Sequence, residues 1–414
     1  MHMNISKKLL QRFGMIISSC LILVIMGFMN NKRQSDPIHQ EILHYGGTYG
    51  LYVEKTDHYS FSWITDIEDI GNYEILDKSD KIIATGETAA SRTHKTKLNT
   101  TIKAPFTLRF GGKETGMHEV TIRKKFDQEK TAYKKVDSIY VVGDIHGRYD
   151  QVKNLLIKSK IVDENLNWIA GASHIVFLGD VFDRGNDVTK VLWFIYDLET
   201  KAEKAGGKIH MVLGNHEIMT MTKDLRYVSR KERNIAVAHG LSYDALFHPK
   251  NSYLGTWLRS KVSVLKVGQV VFAHGGILDL GPNSLEEFNN RAYYYMQEPM
   301  YLDIMKEFPD STRYDSDEWS QMRYFFYNSE GPYWFRGYVT SDTLKTQLKT
   351  MLNKYKSKIH VVAHTTQETI TERYDGKLLT TDLNDAATQL LFLIRDKNKY
   401  KRYKIDSEGV KSEL

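Results

Sequence analysis

The stretch VVGDIHGRYD, residues 141–150, passes from an apolar run to a carboxylate and an imidazole two residues apart, Asp144 and His146, flanked by Gly143 and Gly147. Such a pair at the end of a buried strand is costly unless something charged occupies the space in front of it. A metal ion answers that need. The same grammar recurs down the chain: GDVFDRG presents Asp180, Asp183 and Arg184, GNHE presents Asn215, His216 and Glu217, VVFAHGG presents His274, and IHVVAHT presents His364. One such stretch is weak; a β-branched run followed by a metal-competent side chain, five times in order, is not coincidence.

These side chains need elements that carry them to one place. SIYVVGD, HIVFLGD and KIHMVLGN read as apolar strands ending in a polar residue. About 30 residues lie between successive strands, enough for a crossover helix such as DVTKVLWFIYDLETKAEKAG. This β-α-β-α-β order predicts a parallel sheet. Ligands of such sheets gather outside the carboxyl ends of the strands, where Asp144, Asp180 and Asn215 would stand side by side.

Through GDIHG, GDVFDRG, GNHE, HGG and GPYWFRGY the chain resembles the calcineurin-like metallophosphoesterases over residues 134 to 385. Within them it is similar to the phosphoprotein phosphatase branch and its bacterial Shewanella-like phosphatases. It departs in two places: the usual GHT is Ala363-His364-Thr365, and GDxVDRG carries Phe182 for valine. Neither change removes a candidate ligand. The resemblance implies a four-layer α/β/β/α sandwich over residues 134–396 with two metal ions. Asp144 and His146 would bind the first ion, Asp180 would bridge both, and Asn215, His274 and His364 would complete the second site. Mixed imidazole and oxygen ligands suit manganese, iron or zinc, whereas all-oxygen sites suit magnesium or calcium. Two ions about 4 Å apart can acidify a shared water and clamp a transferring phosphoryl group. The implied reaction is thus direct in-line attack by a bridging hydroxide. By the same resemblance His216 protonates the leaving alkoxide and Asp183 orients its ring. Arg184 and Arg336 would hold the free phosphate oxygens, which suit a guanidinium fork. Trp334 and Tyr338 fit groove lining and plain packing equally well.

Other residues imitate the pattern. His239 in VAHG mimics FAHGG, but KERNIAVAHGLSYDALF has helical spacing and no strand run, so His239 is expected to be an ordinary surface or core histidine. His174, His210 and His360 sit at strand starts and read as structural, and Asp382 in TTDLND reads as a turn residue. The segment from Ile277 to Gly331, rich in Tyr, Met and Glu, is expected to form an inserted helical cap over the site.

Residues 46–126 have a different texture. In YSFSWIT, Tyr59, Phe61 and Trp63 alternate with Ser60 and Ser62, which is strand period. TYGLYVEK, GNYEILDK, KIIATGE, FTLRF and MHEVTIRK continue it, predicting a small all-β sandwich. It is similar in pattern to fibronectin type III-like domains, and its expected role is a passive spacer. Ahead of it, Lys7, Lys8 and Arg12 precede the apolar run Phe13–Met29. With no A-x-A-like cleavage site after it, residues 1–30 read as an uncleaved signal anchor, and 31–45 as a linker. The basic residues before the run slightly outnumber Lys32 and Arg33 after it. The positive-inside rule then puts the catalytic part outside the cytoplasm, at a bacterial periplasm or cell surface. ISSC at 17–20 resembles a lipobox, but the apolar run continues past Cys20, which disfavours lipidation.

Hydrophobic content of 41% and charged content of 26% supply an ordinary globular core. The net charge of +6 is spread over well-mixed charges and requires no nucleic-acid partner. Cys20 stands alone, which excludes an intrachain disulfide framework and cysteine-ligated zinc. The basic run KNKYKRYK opens residues 397–414, read as a C-terminal tail with a solvated strand face. The expected activity is a dimetal phosphomonoesterase acting on phosphoserine, phosphothreonine or phosphotyrosine in proteins. A phosphodiesterase or nucleotide pyrophosphohydrolase is the enzymatic alternative, and an inactive scaffold or adhesion protein is the alternative of another class.

Overall fold

The computed structural model describes residues 50–414 except 135, 282, 308–311, 314 and 398. The expected anchor, linker and lipobox cysteine lie outside the described residues. Among the described residues no helix is long and apolar enough to cross a membrane.

The first five strands are β1 (Tyr52–Lys55), β2 (Tyr59–Leu76), β3 (Ile82–Lys97), β4 (Phe106–Gly112) and β5 (Gly116–Ile122). All pair antiparallel. β3 runs along one edge of β2, while β1 and β4 share the other edge, at its start and its end. Register shifts between Ile64 and Gly71 mark bulges, which bend a strand. The described strands are therefore hydrogen-bonded as one bent sheet, where two facing sheets were expected. Tyr59, Phe61, Trp63, Ile75, Leu108 and Phe110 bury its inner face, as their alternation requires. The sheet is docked on the rest of the chain. Trp193 Nε1 donates to the Leu51 carbonyl at 2.7 Å, the Ser62 hydroxyl meets His239 Nδ1 at 2.6 Å, and Arg123 pairs with Glu199 at 3.0 Å.

The later strands are β6 (Ala132–Tyr133), β7 (Ser138–Val142), β8 (His174–Phe177), β9 (Lys208–Met211), β10 (Val264–Val267), β11 (Val270–Ala273), β12 (Ile359–Val362), β13 (Thr371–Arg373), β14 (Leu378–Thr380), β15 (Gln389–Asp396), β16 (Lys399–Asp406) and β17 (Lys411–Glu413). The helices are α1 (Tyr149–Lys158), α2 (Val188–Lys204), α3 (Asn215–Met221), α4 (Arg230–Ala238), α5 (Tyr253–Arg259), α6 (Leu285–Gln297), α7 (Ser316–Tyr327), α8 (Gly337–Thr340) and α9 (Lys345–Lys354).

One sheet runs β17-β16-β15-β7-β8-β9 and the other β13-β14-β12-β11-β10-β6. β7, β8 and β9 are parallel, with α1 and α2 in the connections, as the alternating pattern predicts. Ile139, Val141, Val176, Phe272, Val361 and Leu391 form an apolar layer between the sheets. Their strand neighbours Val142, Phe177, Val271 and Val362 are buried in the other apolar cluster, on the outward side of the layer. Each strand thus has two buried faces, which is why it reads as an unbroken β-branched run. Helices cover the outer faces, giving four layers.

Two expectations need correction. α6 is part of the outer helical layer, its Asn289 side-chain oxygen accepting the Ser263 and Val264 N–H groups at 2.9 and 3.1 Å. Among the described residues of this segment, α7 reaches the site's rim, where Tyr327 packs on Trp334 with ring centres 5.6 Å apart. Residues 397–414 are not a tail: β16 pairs with β15 along its whole length and extends the first sheet.

Candidate metal centre and active site

Every metal-competent side chain stands just past the carboxyl end of a strand, and the chain must turn abruptly there. His146, Asp180, Asp183, Arg184 and His364 all take positive φ, between 47° and 69°. For residues with a side chain this region costs energy and clusters at functional sites. Backbone bonds hold it: the His146 and Gly147 N–H groups donate to the Asp180 and Val181 carbonyls, both at 2.9 Å, and the Arg184 N–H donates to Tyr227 O at 2.9 Å. Gly185 is required by close approach, since a Cβ there would lie 2.0 Å from His146 O.

The six expected ligands converge. Asp180 lies at the centre, its Oδ2 3.8 Å from His146 Nε2 and 3.2 Å from His274 Nε2. Asp144 Oδ2 is 3.5 Å from His146 Nε2, and its Oδ1 accepts the His364 N–H at 3.2 Å. Asn215 Oδ1 sits 3.0 Å from His274 Nε2. Two clusters with metal-holding geometry share Asp180: His146, Asp180 and His216 in one, Asp180, His274 and His364 in the other. His216 differs from the rest in its partner, because its Nδ1 meets Asp183 Oδ2 at 2.6 Å.

The donor chemistry fits a pair of cations. His146 and His274 each place Nδ1 2.7 Å from a backbone carbonyl, Phe182 O and Leu178 O, which leaves the Nε2 lone pair facing the centre. Among the described residues, Nε2 of His146 and of His364 is buried without a hydrogen-bond partner. Unpaired buried acceptors are rare in native interiors unless water or an ion satisfies them. The electrostatics agree. Burial resists charge on Asp180, yet His274, His216 and His146 hold its carboxyl well below the usual range. Burial likewise opposes charge on His274, but Asp180 pushes its imidazole up to about 10, while burial and His274 push His364 down. The carboxylates demand positive charge at this spot, and bound metal would supply it in place of protons.

Arg184 and Arg336 lie on different sides. Arg184 Nη2 is 3.4 Å from His216 Nε2, whereas Arg336 Nη1 donates to His364 O. Trp334 turns its edge to His364 with ring centres 6.0 Å apart, so it lines the rim. Tyr338 is fully buried, donates to Ile277 O at 3.0 Å and is a packing residue.

Three residues were given no role at the site from the sequence. Glu217 is buried and accepts N–H bonds from Gly214, Asp180 and Val181 at 2.6, 2.9 and 2.8 Å, tying the β8 and β9 turns together. Its place inside GNHE was the available signal. Asp382 is a buried carboxylate rather than a simple turn residue: burial and then the Asp144 charge push it up to about 7. Tyr227, 49% exposed, lays its ring 5.4 Å from that of His216, and nothing in its surroundings in the sequence marks it. The imitators fall where expected. His174 Nδ1 meets His210 Nε2 at 2.9 Å and His210 Nδ1 meets Glu129 at 2.6 Å, His360 Nε2 accepts the Ile277 N–H at 3.1 Å, and His239 is a buried contact of the small sheet.

The calcineurin-like phosphoesterase family model matches residues 138–368. Shewanella-like protein phosphatase 2 of Arabidopsis thaliana is 37% identical over 102 residues, 25% of this chain and 26% of that protein, so the match spans about a quarter of that relative. Shewanella-like protein phosphatase 1 of Plasmodium berghei (strain Anka) is 28% identical over 254 residues, covering 59% of this chain and 67% of that one. A symmetrical bis(5'-nucleosyl)-tetraphosphatase of Buchnera aphidicola subsp. Schizaphis graminum is 32% identical over 145 residues, 34% of this chain and 45% of that one. Among solved structures, the cold-active protein-tyrosine phosphatase of a psychrophile Shewanella sp. superposes with a TM-score of 0.66 at 25% identity, over 88% of this chain and 98% of that one. This chain belongs to the calcineurin-like phosphoesterase family and is a metal-dependent phosphatase akin to the Shewanella-like protein phosphatases.

Proposed function

We propose that the chain hydrolyses phosphomonoesters in proteins, on phosphoserine, phosphothreonine or phosphotyrosine. The observation that carries this reading is the His216–Asp183 pair at 2.6 Å, placed beside the shared carboxylate Asp180 and next to Arg184. Asp144, His146, Asp180, Asn215, His274 and His364 would hold two ions of manganese, iron or zinc. Such ions acidify water and neutralise phosphoryl oxygens. His216 carries the proton for the leaving oxygen on Nε2, and Asp183 fixes the tautomer and ring orientation through Nδ1. Arg184 and Arg336 offer guanidinium groups to a monoester's three free oxygens; a diester has only two to hold. An acid beside the leaving group suits a serine, threonine or tyrosine oxygen, whereas the phosphoanhydride of a dinucleoside tetraphosphate departs without one. The catalytic part is proposed to lie outside the cytoplasm behind an N-terminal anchor, on the basis of the basic residues before the apolar run; protease accessibility in intact cells tests this.

The decisive screen loads the chain with each metal and compares phosphopeptides, nitrophenyl phosphate, a bis-nitrophenyl diester and diadenosine tetraphosphate. Metal-dependent turnover should favour the monoesters, and Asp180→Asn should abolish it together with tight metal binding. Best turnover of the diester or the tetraphosphate would sink the monoesterase reading.

A further inference from the structure

A second concave site lies at the far end of the second sheet. β12 starts there at Ile359 and ends beside His364, so the two sites are separated by roughly 16 Å of extended strand. The cavity, about 480 Å³, opens between α9, the β13–β14 turn and β16. Its walls carry Lys349, Lys358, Lys377, Lys399 and Arg402 against a single carboxylate, Asp375. That carboxylate is engaged by Lys345 at 2.7 Å. Among the described residues, Lys349, Lys377 and Lys399 form no ion pair.

The frame is ordered rather than a loose tuft of lysines. Gly376 has φ of 70°, and a Cβ there would lie 2.1 Å from Arg402 Nη1, so the turn rests directly on the guanidinium. Arg402 Nη1 is fixed to Glu372 at 2.6 Å, while its Nε is buried without a partner. Leu352, Ile359 and Tyr400 make an apolar floor. Like charges on separate walls of a concave, partly apolar site focus the potential and repel one another until an anion enters.

We propose that this cleft binds a polyanion carrying several phosphate- or sulfate-type charges, apart from the catalytic centre. A single phosphate would reach one wall; cations spread over a helix, a turn and a strand call for charges spread over the ligand. The same chemistry is presented by a soluble polyanion and by an anionic lipid headgroup surface, and two measurements separate them.

The full, metal-loaded chain is titrated with sucrose octasulfate at physiological salt, and is sedimented with phosphatidylcholine vesicles with and without phosphatidylglycerol. The triple variant Lys349→Glu, Lys377→Glu, Lys399→Glu is compared with the charge-matched Lys78→Glu, Lys97→Glu, Lys113→Glu on the small sheet. The cleft variant should bind at least about tenfold more weakly and the control like the parent. Hydrolysis of nitrophenyl phosphate should be unchanged in both, showing an intact fold. Binding of the octasulfate alone identifies a soluble ligand; binding confined to phosphatidylglycerol vesicles identifies a headgroup surface. Equal weakening in the two variants, or no binding to either probe by the parent chain, overturns the proposal.

Discussion

His216 could serve this centre in two ways, since its Nε2 lies 3.8 Å from Asp180 Oδ2 as a ligand's would, yet its Nδ1 is held by a carboxylate as an acid's would be. The two roles predict different kinetics. A serine alkoxide must be protonated as it leaves and a nitrophenolate need not be, and general acid catalysis contributes about 10²- to 10⁴-fold. His216→Asn should therefore slow an alkyl phosphate by that range, slow nitrophenyl phosphate far less, and keep both metal equivalents. Asp183→Asn should show the same selectivity in weaker form, because it disturbs only the ring's orientation. Steady-state rates on both substrates, with metal content by mass spectrometry, decide it. Equal losses on the two substrates would remove the acid role, and loss of metal would make His216 a ligand.

The elements depend on buried polar anchors that catalysis does not use. Burial, and then the Asp180 charge, push the Glu217 carboxyl up, while its N–H partners pull the other way. Glu217→Ala would orphan those N–H groups in a dry turn, at about 1–3 kcal/mol each. The total loss of stability should be about 3–5 kcal/mol, with weaker metal binding because Asp180 rides on the same turn. A denaturant midpoint within experimental error of the parent would show the turn holds without it. His239 anchors α4 to the small sheet. Burial holds its imidazole at about 3 against an ordinary 6.5, so between those values the unfolded chain binds one proton that the folded chain refuses. Stability due to this group therefore rises with pH across that window and falls on acidification. His239→Gln should flatten the pH slope of unfolding free energy by up to about 1.4 kcal/mol per pH unit. An unchanged slope would place the imidazole in contact with water.

At the scale of the whole molecule, the small sheet is a structural partner of the phosphatase fold. It contributes no candidate ligand, but Arg123 pairs with Glu199, its N–H bonds the Tyr253 hydroxyl, and Glu54 bridges to Ser252. A chain starting at Ala132 would bare the faces of α2 and α5 that carry Trp193, Tyr196 and Tyr253. It should melt several degrees lower and aggregate more readily, while any folded fraction keeps full metal stoichiometry and hydrolyses nitrophenyl phosphate. Calorimetry and metal analysis of the truncated chain test both halves; a melting temperature equal to the parent's would restore the passive-spacer reading. The basic run after Asp396 belongs to this scale too, since β16 is an integral strand that brings Lys399 and Arg402 to the cleft.

The metal-competent residues were legible in the sequence because each sits at a strand's end beside a glycine or a sharp turn, a pattern written within about seven consecutive residues. The same local grammar separated His274 from His239, since a strand run and a helical run differ in period. Asp180, central to both clusters, was identified from its motif, but only the fold shows how closely the other ligands gather around it. Glu217 had a local signal inside GNHE, but Asp382 and Tyr227 could not be read this way, because their roles rest on contacts with other segments, around Asp144 and around Arg184 and His216, that leave no periodic trace. The same holds for α6 as an outer layer, for β16 beside β15 and for the single bent sheet. Hydrophobic alternation states which faces must be buried; what covers each face is settled only when the whole chain has found the arrangement that buries all of them at once.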